Sequence, residues 1–149
     1  MLVATSPGVE PFFADASSRL GHVHFEDSFD DWSEQPLLPR RLSRLGPGVS
    51  WYDFNGDGWE DLIVTGGRGG KLAVFTNDHG GNFRMIENIP ANATDQGAVL
   101  GWHDDKGNRN LLVAVSNYGI SGNQESEVAV FSLTNSAAPR RWSPLHGGY

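Results

Sequence analysis

Cysteine is absent from this sequence, which rules out disulfides and thiolate-held metals and leaves the redox compartment open. Long apolar runs are absent too, none approaching the roughly 20 residues that cross a bilayer as a helix. Positive charge is sparse: 11 basic residues against 18 acidic ones leave a formal net charge of -7. No patch is large enough to track a phosphate backbone, so nucleic-acid binding is not expected. The nearest basic stretch, "PRRLSR" with Arg40, Arg41 and Arg44, reads as a solvated or salt-bridged segment. Catalytic signatures are also missing, with no G-x-S-x-G elbow, no cysteine nucleophile and no H-E-x-x-H helix. "TGGRGGK" is not a phosphate loop, because Thr65 stands where the first glycine belongs and Leu72 where Ser or Thr belongs. It reads as a hairpin turn. His79, His103 and His146 are scattered singly and read as surface or capping residues. Helical periodicity is missing, apart from a short turn near Ala16 to Leu20.

What the chain does have is "DFNGDGWED", residues 53–61, with three aspartates and an asparagine at alternate positions. A hard divalent cation accounts for so much like charge, since Ca2+ takes six to eight oxygen ligands. Asp53, Asn55, Asp57 and Asp61 would supply side-chain oxygens and Trp59 its backbone carbonyl, while Gly56 and Gly58 permit tight turning. The alternative is a polar Asp/Gly turn without metal. An EF-hand is excluded, because its bidentate Glu at loop position twelve falls on Val64, inside the apolar run Leu62, Ile63 and Val64. That run reads as a buried strand, so the cation is expected to pin a turn between two strands.

The pattern recurs about 49 residues later. Leu62, Ile63 and Val64 lie over Leu111, Leu112 and Val113, Gly58 lies over Gly107, and "KLAVFTN" is echoed by "EVAVFSL". Each repeat has four strand-like segments bounded by Gly, Asn, Asp and Ser: 48–53, 61–65, 71–76 and 83–88, then 97–102, 110–115, 127–133 and 140–145. Four antiparallel strands in about 50 residues is the dimension of a β-propeller blade. The expected fold is all-β: a partial propeller of two blades plus an N-terminal segment. The divisions are a leader at 1–47, a blade with the calcium loop at 48–96 and a degenerate blade at 97–149.

"GVSWYDFNGDGWEDLIVTGG" resembles the FG-GAP/VCBS repeat of integrin α-subunit propellers and many secreted bacterial proteins. The upstream "QPLLPRRLSRLGPGVSW" is similar to the approach to such repeats in cartilage-acidic-protein-like and UnbV/ASPIC-type chains, and "PFFADASSRLG" resembles an outer strand with its exit turn. The resemblance implies Ca2+ ligation by Asp53, Asn55, Asp57 and Asp61 with the Trp59 carbonyl. In the second repeat Trp102, Asp104, Lys106 and Asn110 take the corresponding places, so no metal is expected there. Lys106 is read as a cation bridging that loop's own acids.

In "HVHFEDSFDDW", His22, His24 and Glu26 fall on one side of an extended chain and could bind a transition metal, while Asp27, Asp30 and Asp31 could hold a second calcium; a solvated acidic loop is the plainer reading. Trp51 and Trp102 read as blade-packing residues, and Trp59 as an exposed recognition point or a packing residue on a neighbouring turn. "NAT", Asn92 to Thr94, is a glycosylation sequon if the source is eukaryotic and secreted. A weak calcium site fills outside the cytosol, so an extracellular or periplasmic location is expected. "MLVATSPG" is too short and uncharged for a signal peptide, so an exported form is expected to be mature or excised. The function expected is a non-catalytic, calcium-stabilised module for protein binding, self-association or assembly. The alternatives are a lectin-like adhesive module that binds carbohydrate, and a hydrolase or lyase using the His22/His24 segment.

Overall fold

The computed structural model describes residues 12–87, 89–119, 127–132 and 140–142. Two one-turn helices, α1 (Ser17–Leu20) and α2 (Asp31–Glu34), precede eight strands. These are β1 (Val49–Tyr52), β2 (Asp61–Val64), β3 (Ala73–Asn77), β4 (Phe83–Met85), β5 (Gln96–His103), β6 (Arg109–Val115), β7 (Glu127–Ser132) and β8 (Arg140–Trp142). Strands β1 to β4 form one antiparallel sheet in chain order, and β5 to β8 form a second. The fold is all-β, and its two four-stranded meanders have the form of propeller blades. Each turn-bounded apolar segment became a strand, with ends moved by a few residues; the expected strand residues 88, 133 and 143–145 lie outside the described residues.

Side chains alternate across a strand, so each sheet has two faces. From the first sheet, Ile63 and Val74 join Phe54, Leu72 and Ile89 in a core with Leu111, Val113, Val115, Ala129 and Phe131 of the second. The opposite face of the first sheet carries Leu62, Val64, Ala73 and Phe75, against which Leu20 of α1 and Phe83 pack. The His22 ring stands edge-on to Phe75 at 5.5 Å. The sheets therefore stack head to tail: Leu111 and Val113, which meet the first sheet, are the repeat equivalents of Leu62 and Val64, which meet the leader.

The leader has no strand among its described residues: α1 is the short helical turn expected near Ala16 to Leu20, and the expected outer strand does not precede it in residues 12–16. Gly21, at φ 57, caps that helix, a conformation glycine adopts freely. Phe12 and Phe13 are exposed. Further on, the leader lies across the β2–β3 turn, which explains that turn's glycines. A Cβ on Gly70 would fall 2.6 Å from the Phe25 carbonyl oxygen, and one on Gly67 would fall 2.7 Å from Glu26 Cγ. The Asp27 N–H donates to the Arg68 carbonyl at 2.8 Å, and the Arg68 guanidinium lies 4.4 Å over the Phe29 ring. Phe29 in turn meets Tyr118 from the β6–β7 connection at 5.8 Å, so the leader bridges both sheets.

Asp31 anchors this bridge instead of a second calcium. It is fully buried, and its carboxylate accepts the N–H groups of Leu42 and Ser43 at 2.7 and 2.9 Å and the Ser43 hydroxyl at 2.5 Å. Asp30 instead caps α2 by accepting the Trp32 N–H. Burial alone would raise the Asp31 pKa, but the donors from Ser43 and Leu42, with the Tyr118 side chain beside them, outweigh it and hold the carboxyl at about 2. A depressed carboxyl contributes stability that is complete above its unfolded value and is lost as pH falls through the folded one. Melting temperature is therefore expected to drop between about pH 4 and about pH 2 less steeply in Asp31→Asn than in the parent. Parallel slopes would rule this anchor out.

The sequon is closed in the folded chain. Asn92 is buried, and its side-chain amide donates to the Thr94 carbonyl at 2.8 Å.

Candidate metal centre

Strand β1 ends at Tyr52 opposite Asp61, the first residue of β2, so residues 53–60 form the connecting loop. Gly56 and Gly58 both take φ 89, the left-handed region that glycine enters without strain. Those two reversals fold the loop onto its own side chains. Asp53 accepts the Gly56 N–H at 2.7 Å through Oδ1 and the Gly58 N–H at 3.1 Å through Oδ2. Asn55 Oδ1 accepts the Asp57 N–H at 2.8 Å, and Asp57 Oδ1 accepts the Trp59 N–H at 2.9 Å. These are side-chain-capped turns that short acidic and amide residues form readily.

Asp61 differs from the others because its carboxylate is fully buried. Its Oδ2 accepts the N–H groups of Phe54 and Asn55 at 3.0 and 3.2 Å, and its Oδ1 accepts that of Asn77 at 3.0 Å. Burial pushes its pKa up, against the lowering by Asn77, Asn55 and Phe54, and the nearby Asp57 charge pushes the same way as burial. The Asp57 carboxyl is held below its ordinary value, first by the Trp59 N–H and then by the Asn55 amide.

The β3–β4 turn closes over one side of the loop. His79, at φ 65, stacks on Trp59 with ring centroids 4.6 Å apart, and its Nε2 lies 3.4 Å from Asp57 Oδ2. Asn77 also donates its side-chain amide to the Glu60 carbonyl at 3.2 Å. On the other side, Arg109 of β6 places Nη2 3.4 Å from Asp53 Oδ2. The isolated-histidine reading missed His79, and nothing local in the sequence marked Arg109. Trp59 is half-exposed above its histidine partner.

A metal was tested against this geometry. The donors are all oxygen, suited in type to calcium, and a carboxylate oxygen holding one N–H keeps a second lone pair. Among the described residues, however, no three acidic or imidazole groups converge on one point. Asp53, Asn55 and Asp57 hold the loop's own N–H groups, and Asp53 and Asp57 also face Arg109 and His79. The residues fit calcium in kind.

Residues 53–111 match the FG-GAP-like repeat model. The FG-GAP-like match opens on Asp53 and runs through β2 to β5 into the start of β6. It does not reach residues 35–51, on which the likeness to UnbV/ASPIC-type and cartilage-acidic-protein-like chains rests. No curated protein and no solved structure matches the chain.

Beyond the FG-GAP-like loop, other expectations shift. In the second sheet Trp102 pairs with Asn110, as Tyr52 pairs with Asp61, so that connecting loop is one residue shorter and His103 rather than Trp102 follows in Asp53's place. Asp104 accepts the Lys106 and Asn108 N–H groups at 2.9 and 2.8 Å. The Asn108 amide and N–H, then the Lys106 N–H, close the turn, and the Lys106 charge adds to the lowering of the Asp104 pKa. Trp51 and Trp102, expected inside the blades, are about half-exposed. At the second-sheet equivalent of Trp51 stands Gly101, where a Cβ would fall 2.0 Å from the Tyr52 ring.

His22, His24 and Glu26 do share the more covered side of the leader. They do not gather on a metal: the Glu26 carboxylate pairs with Arg44 at 3.3 Å and lies 3.8 Å from His24, while His22 packs on Phe75. Burial, then the charge of His24, lowers the His22 pKa. Arg41 covers Trp32 at 4.8 Å, so two of the three arginines of that stretch are engaged.

Proposed function

We propose that the chain is a calcium-stabilised, non-catalytic module of β-propeller type that assembles by stacking sheets, working outside the cytoplasm. The observation that carries this reading is the difference between two equivalent faces. Ile63 and Val74 are wholly buried where the second sheet covers the first. Their repeat equivalents Leu112 and Val130 are only half-buried, and on the same face Leu100 and Trp102 remain 62% and 44% exposed. An apolar sheet face of this kind favours a partner. The occupant argued by the existing interface is a further β-sheet presenting small and branched apolar side chains as Leu111, Val113, Ala129 and Phe131 do. A second copy has its matching face covered by Leu20 and His22, so another chain's sheet is favoured over self-stacking.

Calcium enters the same reading through Asp53, Asn55, Asp57, Asp61 and the Trp59 carbonyl. When bound it would supply two positive charges to a loop of three carboxylates. A ligand that binds only the folded state adds about 1.4 kcal/mol at a tenfold excess over its Kd, the excess that millimolar calcium gives a weak site. Millimolar calcium is therefore expected to raise the melting temperature by several degrees. Asp57→Ala should abolish the rise and Asp104→Ala should leave it intact, whereas melting curves identical with and without chelator would sink the calcium half. Light scattering tests the stacking half. Deleting residues 1–20 should uncover Leu62, Val64 and Phe75 and increase self-association, and a stable, well-folded monomer in both forms would refute it. The half-exposed Trp59 ring supports a carbohydrate-binding alternative, which a glycan array examines.

A further inference from the structure

The guanidinium of Arg109 comes from the second sheet yet lies against the acidic loop of the first. Its Nη2 is 3.4 Å from Asp53 Oδ2, and a Cβ on Gly56 would fall 2.8 Å from its Nη1. Its Nε is buried with no hydrogen-bond partner among the described residues, so nothing described on β6 retains the head group by that atom. The register explains its reach. Arg109 immediately precedes Asn110 as Glu60 precedes Asp61, and head-to-tail stacking carries this position over the loop of the preceding sheet.

We propose that Arg109 is a built-in countercharge that competes with a divalent cation for Asp53, so that the loop exchanges a tie between the sheets for a bound ion. This rests on the calcium reading above. Asp53 already accepts the Gly56 and Gly58 N–H groups, and Arg109 takes a further approach to Oδ2. A divalent ion seated on the same carboxylate would lie within a few ångströms of the guanidinium. Two positive charges against one at that range weaken binding by about tenfold even in a water-like dielectric. By linkage the effect is reciprocal: calcium loosens the Arg109 contact as much as Arg109 weakens calcium. Arg109 therefore sets the concentration at which the loop fills, while adding one tie between the two sheets when calcium is scarce.

The test uses the full chain as parent, Arg109→Gln, Arg109→Lys, Asp53→Asn and the double variant Arg109→Gln/Asp53→Asn. In chelator, Arg109→Gln and Asp53→Asn should each lower the melting temperature, and the double variant should lose no more than Asp53→Asn alone, because one contact is removed in all three. By calorimetry, Arg109→Gln should bind calcium about tenfold more tightly than the parent, with Arg109→Lys close to the parent because its charge is kept. Additive melting losses, or an unchanged or weaker calcium affinity in Arg109→Gln, would overturn the proposal while leaving the calcium reading standing. If neither the parent nor Arg109→Gln binds calcium, the calcium reading fails, and the competition fails with it, because removing the competitor should have opened the site.

Discussion

Asp61→Ala is expected to destabilise the chain by on the order of 3 kcal/mol in chelator, and by more in calcium, whose ligand it also removes. The carboxylate is fully buried and accepts three backbone N–H groups, from Phe54 and Asn55 at the start of the loop and from Asn77 at the end of β3. Alanine leaves all three donors unpaired, and an unsatisfied buried donor costs about 1–3 kcal/mol before water or backbone movement relieves it. For a chain of this size, 1 kcal/mol moves the melting temperature by about 2–4 °C, so a fall of roughly 10 °C is expected in thermal melts. The contrast with Asp57→Ala makes the result diagnostic. Asp57 is exposed, and its partners are the loop's own Trp59 N–H and Asn55 amide and the half-exposed His79 imidazole, so its loss should matter little in chelator and chiefly remove the calcium-dependent gain. If Asp61→Ala melts like the parent in chelator, the carboxylate is not the clamp its hydrogen bonds describe.

Phe54→Ala is expected to cost about 3–5 kcal/mol, the range for an aromatic side chain removed from a packed core. Phe54 is 1% exposed although it sits second in a loop whose other residues are polar, glycine or the half-exposed Trp59. Its ring belongs to the core between the sheets, with Ile63, Val74 and Leu111, while its N–H is held by Asp61. One residue thus fastens the acidic loop to the stack. Chemical denaturation measures the loss, and Trp59→Ala provides the comparison. Trp59 is half-exposed on the same loop, so its truncation should cost well under half as much. Equal losses at the two positions would show that the loop is not anchored through Phe54.

The sequence alone determined the local structure. Alternating and continuous apolar runs between Gly, Asn and Asp turns located all eight strands, because strand formation and chain reversal depend on residues within a few positions of one another. The same locality marked Asp53, Asn55, Asp57 and Asp61 as one loop. It could not separate Asp61, which is fully buried and clamps three N–H groups, from the other three, since that depends on Asn77 arriving from another strand. Tertiary structure alone decided which face of each sheet is covered. Trp51 and Trp102 carry the bulk and apolarity of core residues, yet what covers a side chain is settled by the neighbouring sheet. Gly101 is needed where the Tyr52 ring lands, while Trp51 projects beside Phe83 and stays half-exposed. The glycines at 67 and 70 look like ordinary turn residues until the leader, some 40 residues earlier in the chain, is laid across them. Arg109 meets Asp53 for the same reason: 56 positions separate them, and only the stacking of two sheets brings the guanidinium over the loop.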